Sequence, residues 1–309
     1  MRILIVGFGS IGERHYNILK KFNKVSKINV VSRYSKNDNV LCGELSELSN
    51  EQLNYYDLFI VSSETSLHEE QFKFIDSKVT GKVILVEKPL AVHVCDYLPQ
   101  NKVLVAYNLR FHPVVKKLRE LMNGETILSF SVAAGQYLPT WRVGRKYEDS
   151  YSCYLSRGGG VLRDLSHEID YTQYLCGELS LHSAMASSRS HLKIAADDLC
   201  TILATNCQGA HIQIQMDYLS FRPKREIEVQ TDNMTISANL ITNKIEVFYP
   251  DKDPEFIDLG LCSRDQTYIE MHENMAEFGG TALTSYNDAN SVMKLIDVIT
   301  ENFMDQSWV

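Results

Sequence analysis

Apolar residues in the first 107 positions fall in short unbroken runs: RILIV at 2–6, KINVVS at 27–32, DLFIVSS at 57–63, KVILVE at 82–87 and KVLVAY at 102–107. Runs of that length without polar alternation predict strands covered on both faces. Between them the period changes. Ile11, His15, Ile18, Leu19 and Phe22 follow helical spacing, and SLHEEQFKFIDSK at 66–78 reads as a second helix. Strand and helix in alternation predict a doubly wound parallel sheet. From about Glu120 the period falls to two, in TILSFSVAAGQ, LSLHSAMASS, LCTILATN, GAHIQIQMDYL, REIEVQT, MTISANL and KIEVFY. Those are half-buried strands of an antiparallel sheet with one face against helices. Two further helical patterns, at 265–280 and 286–303, close the chain. The fold class expected is α/β, with an N-terminal domain at 1–119 and a C-terminal α+β domain at 120–309 whose last helices pack back across the domains.

Composition narrows the function classes. A chain of 309 residues, 44% hydrophobic and 23% charged, has room for two cores. A net charge of −8 argues against a nucleic-acid footprint, which needs clustered Lys and Arg. The apolar opening MRILIVGFG is too short for a membrane span or a signal-peptide core, so a cytoplasmic location is expected. Seven cysteines are scattered without a C-x-x-C pair, which predicts reduced thiols rather than a disulfide framework or zinc site. Cys153 and Cys176 have no activating histidine beside them in sequence and read as buried inert thiols.

The first run ends in GFGSIG, where Gly7, Gly9 and Gly12 satisfy G-x-G-x-x-G between a predicted strand and a predicted helix. Gly7 permits the tight turn, Gly9 lets the backbone approach a pyrophosphate, and Gly12 allows close helix–strand packing. The N–H groups that open the helix, at Ser10 and Ile11, face the phosphates. This predicts a Rossmann domain binding a dinucleotide. An NAD-selecting site carries Asp or Glu about 20 residues further on. Ser32 and Arg33 stand there instead, with Lys36 nearby. A hydroxyl and a guanidinium suit a 2′-phosphate, so NADP is favoured over NAD, whereas Arg33 stacked on adenine would serve either.

Glu87 and Lys88 follow the fourth buried run, at the carboxyl end of a strand, where doubly wound sheets bind ligands. Pro89 ends the strand and fixes where the lysine emerges. A cation there stabilises developing alkoxide charge. Asn108 occupies the same position after the fifth run and can border a nicotinamide.

The stretches ILIVGFGSIGERH, SLHEEQFKFIDSKVTGKVILVEKPLAV, VAYNLRFHP and GGGVLRDLSHEIDY together resemble the Gfo/Idh/MocA oxidoreductases nearly end to end. The resemblance implies a Rossmann domain followed by an α/β domain with a large, mainly antiparallel sheet. It also implies hydride transfer between NAD(P) and the hydroxyl or carbonyl of a sugar, inositol or related compound. Lys88 matches the E-K-P lysine, which holds the reacting hydroxyl, and Ser62, Ser63 and His68 lie in the matching cofactor loop. Glu64 departs from the family's Thr-Pro there. Pairing through the second sheet, as a homodimer or homotetramer, is a further implication.

In RGGGVLRDLSHEIDYTQYLCG, Asp164, His167 and Asp170 recur every three residues and are expected on one face of one helix, a histidine braced by carboxylates for general acid–base work. The resemblance makes His167 the catalytic base. It leaves Asp164 less defined, because His167 follows it by three positions where the family has four. No second histidine stands at metal-ligand spacing, so no metal is expected.

The segment QYLPTWRVGRKYEDSYSCYLSR, 136–157, sets Tyr137, Trp141 and further tyrosines among Arg142 and Arg145. Aromatic faces stack on sugar rings and guanidinium forks grip carboxylate or phosphate, so these residues predict an anionic or nucleotide-linked sugar substrate. The W-R-x-G-R loop resembles those of enzymes of surface-polysaccharide sugar synthesis. Two other readings are open. A non-catalytic dinucleotide sensor has no need of Lys88 and His167, and an NAD-dependent glycoside hydrolase has no need of Arg33.

Overall fold

The computed structural model describes residues 1–33, 39–141, 144 and 146–303, apart from the side chain of Phe278. The chain forms two compact units. The first comprises Met1–Asn108 and Arg264–Met293, and the second Leu109–Ser263 and Lys294–Val309. The break after Asn108 lies before the change of hydrophobic period at Glu120, and the penultimate helix belongs to the first unit.

The first unit begins β1 (Arg2–Val6), α1 (Ser10–Leu19), β2 (Lys27–Val31), β3 (Val40–Cys42), α2 (Asn50–Asn54), β4 (Leu58–Val61), α3 (Thr65–Lys78), β5 (Val83–Val86) and β6 (Lys102–Val105). Burial explains the apolar runs. Ile3, Leu4, Ile5, Phe59, Ile60, Val61, Ile84, Leu85 and Val86 are all fully inaccessible, because helices cover both faces of the sheet. Each such side chain contributes about 1.5–3 kcal/mol of burial. The short β3 and α2 were not legible as elements. Val40–Cys42 has too few apolar residues to show a period, and α2 is set by a local capping box between Ser49 and Gln52.

The second unit contains α4 (Pro113–Leu121), β7 (Ile127–Gly135), α5 (Val161–Asp164), α6 (His167–Cys176) and β8 (Leu179–Ser187). There follow β9 (Leu199–Asn206), β10 (His211–Asp217), β11 (Lys224–Thr231), β12 (Thr235–Asn239), β13 (Lys244–Phe248) and β14 (Glu255–Asp258). The strands form one eight-stranded sheet in the order β14-β13-β12-β11-β7-β10-β9-β8. All neighbours are antiparallel except β7 and β10, which run parallel with Val132 opposite Ile214. The period of two is visible in burial. Phe130, Val132, Ile212, Ile214, Ile227, Val229, Ile236 and Ile245 line the inner face, where α5 and α6 pack. Ser131, Gln213, Glu226, Glu228 and Glu246 line the outer face.

The first unit is completed by α7 (Gln266–Phe278), β15 (Thr284–Ser285) and the first half of α8 (Tyr286–Asn302). Its sheet runs β15-β6-β5-β4-β1-β2-β3, parallel throughout except for β15, a short antiparallel edge on β6. The order reverses between β1 and β4, which is the switch point where such sheets bind ligands.

Candidate active site

The glycine turn lies between β1 and α1, at that switch point. Gly7 has a φ of +88°, and a Cβ there would lie 2.6 Å from the Ser63 backbone nitrogen, so both conformation and space demand glycine. A Cβ on Gly12 would lie 2.2 Å from the Gly7 carbonyl oxygen and 2.8 Å from Ser62 Oγ. The same Ser62 hydroxyl donates to the Gly7 carbonyl at 2.9 Å and thus braces the turn. Gly9 differs. A methyl there would meet no atom of the described residues within 4 Å beyond its chain neighbours, and as the N-cap of α1 it offers no side chain to the first N–H groups, which begin at Ser10 and Ile11. An uncapped helix start facing open space is the arrangement that takes a pyrophosphate, so these residues fit a dinucleotide.

The remaining cofactor candidates surround it along the strand ends. The Ser32 N–H donates to the Cys42 carbonyl, and Arg33 pairs with Glu44 at 2.8 Å, both side chains being more than half exposed. Glu44 was not foreseen, because its link to Arg33 depends on β3 lying beside β2. Ser63 donates to Gln71 Oε1. His68 is fully buried with Nδ1 2.9 Å from the Pro89 carbonyl oxygen and Nε2 3.2 Å from that of Ser63, which ties α3 to the E-K-P turn. Burial lowers its pKa, against the pull of the two carbonyls.

Lys88 is half-buried immediately after β5, and the Lys88–Pro89 peptide is cis. Glu87 is buried beneath it, with Oε1 2.9 Å from His15 Nε2 on α1, and its Oε2 accepts the Lys88 backbone N–H at 3.1 Å. Asn108 is also buried, and its amide donates to Thr267 Oγ1 on α7 at 2.6 Å. No sequence signal could have found that partner, 159 residues away.

In the second unit the glycine run packs tightly. A Cβ on Gly159 would strike the Tyr151 carbonyl oxygen at 2.2 Å, and one on Gly160 would strike Asp197 Oδ1 at 2.1 Å. Asp197 accepts the Leu162 N–H at 2.8 Å and so caps α5 from a distant loop. Burial raises its pKa to about 6, and Oδ1 has no hydrogen-bond partner among the described residues. The expectation of one continuous helix is corrected here. α5 stops at Asp164, Leu165 turns out of helical geometry with ψ +25°, and α6 starts anew at His167. Asp164 and His167 therefore do not share a helix face, and only the spacing of His167 and Asp170 on α6 stands.

The carboxylates have specific partners. Asp164 accepts the Tyr218 hydroxyl at 2.8 Å, and burial together with the Asp164 charge raises the Tyr218 pKa well above its usual value. Asp170 takes a two-pronged ion pair from Arg110, 2.8 and 2.9 Å, with both side chains buried. His167 is half-buried at the start of α6. Trp141 lies edge-on to Tyr218 at 5.2 Å, which brings it beside the Asp164 pair, while Tyr137 meets Phe221 with the rings tilted at 48° and its hydroxyl lies 3.1 Å from His191 Nε2. Tyr218, Asp197, His191 and Phe221 escaped sequence reasoning because each lies on a strand end or loop far along the chain. Arg142 and Arg145 lie outside the described residues, as does Lys36. Burial pushes the Cys153 thiol up to about 11 and the Cys176 thiol up to about 12. Among the described residues no three His, Cys, Asp or Glu side chains gather as a metal site, and no helix is long and apolar enough to cross a membrane.

A glycine turn at the switch point, a Glu-Lys-Pro turn at the carboxyl end of β5 and a separate α+β unit define a dinucleotide-dependent oxidoreductase. Residues 1–108 match the model of the oxidoreductase family with an NAD-binding Rossmann fold, and residues 116–237 match that of the GFO/IDH/MocA C-terminal domain. The chain belongs to the Gfo/Idh/MocA oxidoreductase family. No match was found among curated proteins. Among solved structures, the fold is similar to an oxidoreductase from Agrobacterium radiobacter in complex with NAD+, L-tartaric acid and magnesium, with a TM-score of 0.81, 16% identity, and 97% of this chain and 95% of that one covered. It is also similar to levoglucosan dehydrogenase in complex with NADH, at 0.79, 18%, 97% and 96%. The UDP-N-acetylglucosamine 3-dehydrogenase of Acidithiobacillus ferrooxidans gives 0.73, 14%, 97% and 96%.

Proposed function

We propose that this oxidoreductase acts on a hydroxyl or carbonyl group of a sugar or sugar derivative. The observation that carries the reading is Lys88 at the carboxyl end of β5, held over buried Glu87 in the unit whose glycine turn fits a dinucleotide. Two of the similar structures are sugar dehydrogenases by name, which supports the same class. Bound NAD(P) supplies the acceptor or donor of the hydride. The Lys88 ammonium holds the reacting oxygen and stabilises alkoxide charge. His167 takes the hydroxyl proton in oxidation and returns it in reduction. Tyr218 holds Asp164 at the end of α5, just before the turn that leads to His167, and Trp141 and Tyr137 offer aromatic faces to a sugar ring.

The finer proposal for the cofactor is NADP, on Ser32 and the exposed Arg33. Glu44 shares that guanidinium, so a 2′-phosphate would compete with a carboxylate 2.8 Å away.

The test is nicotinamide oxidation and reduction with NAD(H) and NADP(H) in parallel, across free, acidic and nucleotide-linked sugars. Lys88→Ala should lower turnover about 10²–10³-fold, the loss typical of removing a donor to a developing oxyanion, with cofactor affinity nearly intact. Unchanged turnover in that variant would refute the role of Lys88.

A further inference from the structure

Glu87 is the first of three buried polar groups in a row, all within the first unit. His15 Nε2 lies 2.9 Å from Glu87 Oε1, and His15 Nδ1 lies 2.8 Å from His272 Nε2. The three come from α1, the turn after β5, and α7, and His15 and His272 are 0% and 1% exposed. Periodicity alone makes His15 one more residue on the buried face of α1, so its polar ring there calls for an explanation.

The proton positions follow from counting donors. An ionised Glu87 only accepts, so His15 carries its proton on Nε2 and donates it. Nδ1 of His15 is then an acceptor, and His272 donates to it from Nε2. His272 Nδ1 is left as a buried acceptor without a partner among the described residues. The reverse order, starting from a protonated Glu87, would leave a buried N–H at that end instead. Burial, and then the neighbouring His15, hold the His272 pKa well below its usual value, in keeping with a neutral ring. Tyr268 and His272 both meet the His15 ring edge-on, at 5.4 and 5.0 Å, which fixes its plane.

We propose that His15 and His272 are positioning residues that lock the Glu87 carboxylate, and through its bond to the Lys88 N–H set the backbone from which Lys88 emerges. His15 sits on the helix whose start forms the glycine turn, so the relay also joins the dinucleotide cradle to the Glu-Lys-Pro turn. The inference rests on the catalytic reading of Lys88, and its test has a measure of its own.

That measure is the rate at which limiting acetylating reagent modifies Lys88 in the intact chain, read by peptide mass spectrometry against exposed Lys27. His15→Phe and His272→Phe should each release the turn and raise the Lys88 rate at least about threefold, with Lys27 unchanged. His15→Gln, which retains an N–H donor toward Glu87, should restore most of the parental rate. In the parent, ¹⁵N imidazole spectra should show a neutral His272 ring with its proton on Nε2. In assays with substrate, His272→Phe should lower kcat while leaving the Kd for NADH unchanged. Parental Lys88 rates in both phenylalanine variants, or a neutral His272 ring that carries its proton on Nδ1 instead of Nε2, would overturn the proposal. If His15→Phe does not fold, His272→Phe and the imidazole spectra decide. Full turnover in Lys88→Ala would refute the catalytic reading, while the acetylation rates would still judge the relay.

Discussion

The dinucleotide cradle can be tested by adding one methyl group at Gly9. Gly9 has φ −78° and ψ −165°, extended geometry that alanine adopts without strain, and its Cβ would meet no atom of the described residues within 4 Å beyond its chain neighbours. Gly9→Ala should therefore leave the unliganded protein as stable as the parent or more so by about 0.4–1 kcal/mol, through the smaller entropy of its unfolded chain. The open space that makes the change harmless to the fold is the space a pyrophosphate would use. Overpacking by a methyl costs about 1–3 kcal/mol. At about 1.4 kcal/mol per tenfold, the Kd for NADH or NADPH should rise about 5- to 150-fold. Gly12→Ala is the contrasting variant. Its Cβ would lie 2.2 Å from a backbone carbonyl oxygen, so the turn must shift and the unliganded protein should melt earlier. Fluorescence titration with NADH, alongside thermal melts without cofactor, separates the two. Parental NADH affinity in a well-folded Gly9→Ala protein would refute the assignment of the α1 start as the pyrophosphate site.

Two further predictions concern the second unit. Asp197 has its folded pKa raised to about 6, above an unfolded value of about 3.9, so the fold favours its protonated form. That contribution is fully present below about pH 4 and is lost as pH rises through 6, some 3 kcal/mol in all. Asp197→Asn keeps an acceptor for the Leu162 N–H and should flatten the urea midpoint between pH 4 and 6.5; equal slopes in variant and parent would exclude Asp197 as the source. Arg110→Ala strands the buried Asp170 carboxylate and should cost about 3–5 kcal/mol. A urea midpoint near the parent's would show that the pair carries little of the fold's stability.

The sequence alone was enough for the class of both sheets, because the signal there is local, though not for β3, β14, β15 or the parallel pairing of β7 with β10. A strand buried on both faces must be apolar throughout, as in RILIV and KVILVE, and a half-buried strand must alternate, as in HIQIQMD. The glycine turn was legible for a similar reason, since the backbone conformation and close approach it needs exclude side chains at fixed spacing. The tertiary structure decided what depends on neighbours remote in sequence. It broke the helix between Asp164 and His167, gave Asp164 to Tyr218 and Asp170 to Arg110, and set Glu44 against Arg33. It also turned His15 from one apolar-face position on a helix into the middle of a buried chain of three polar groups. Periodicity records which face of an element avoids water. A buried polar side chain needs one particular partner, and only the folded chain brings that partner within about 3 Å.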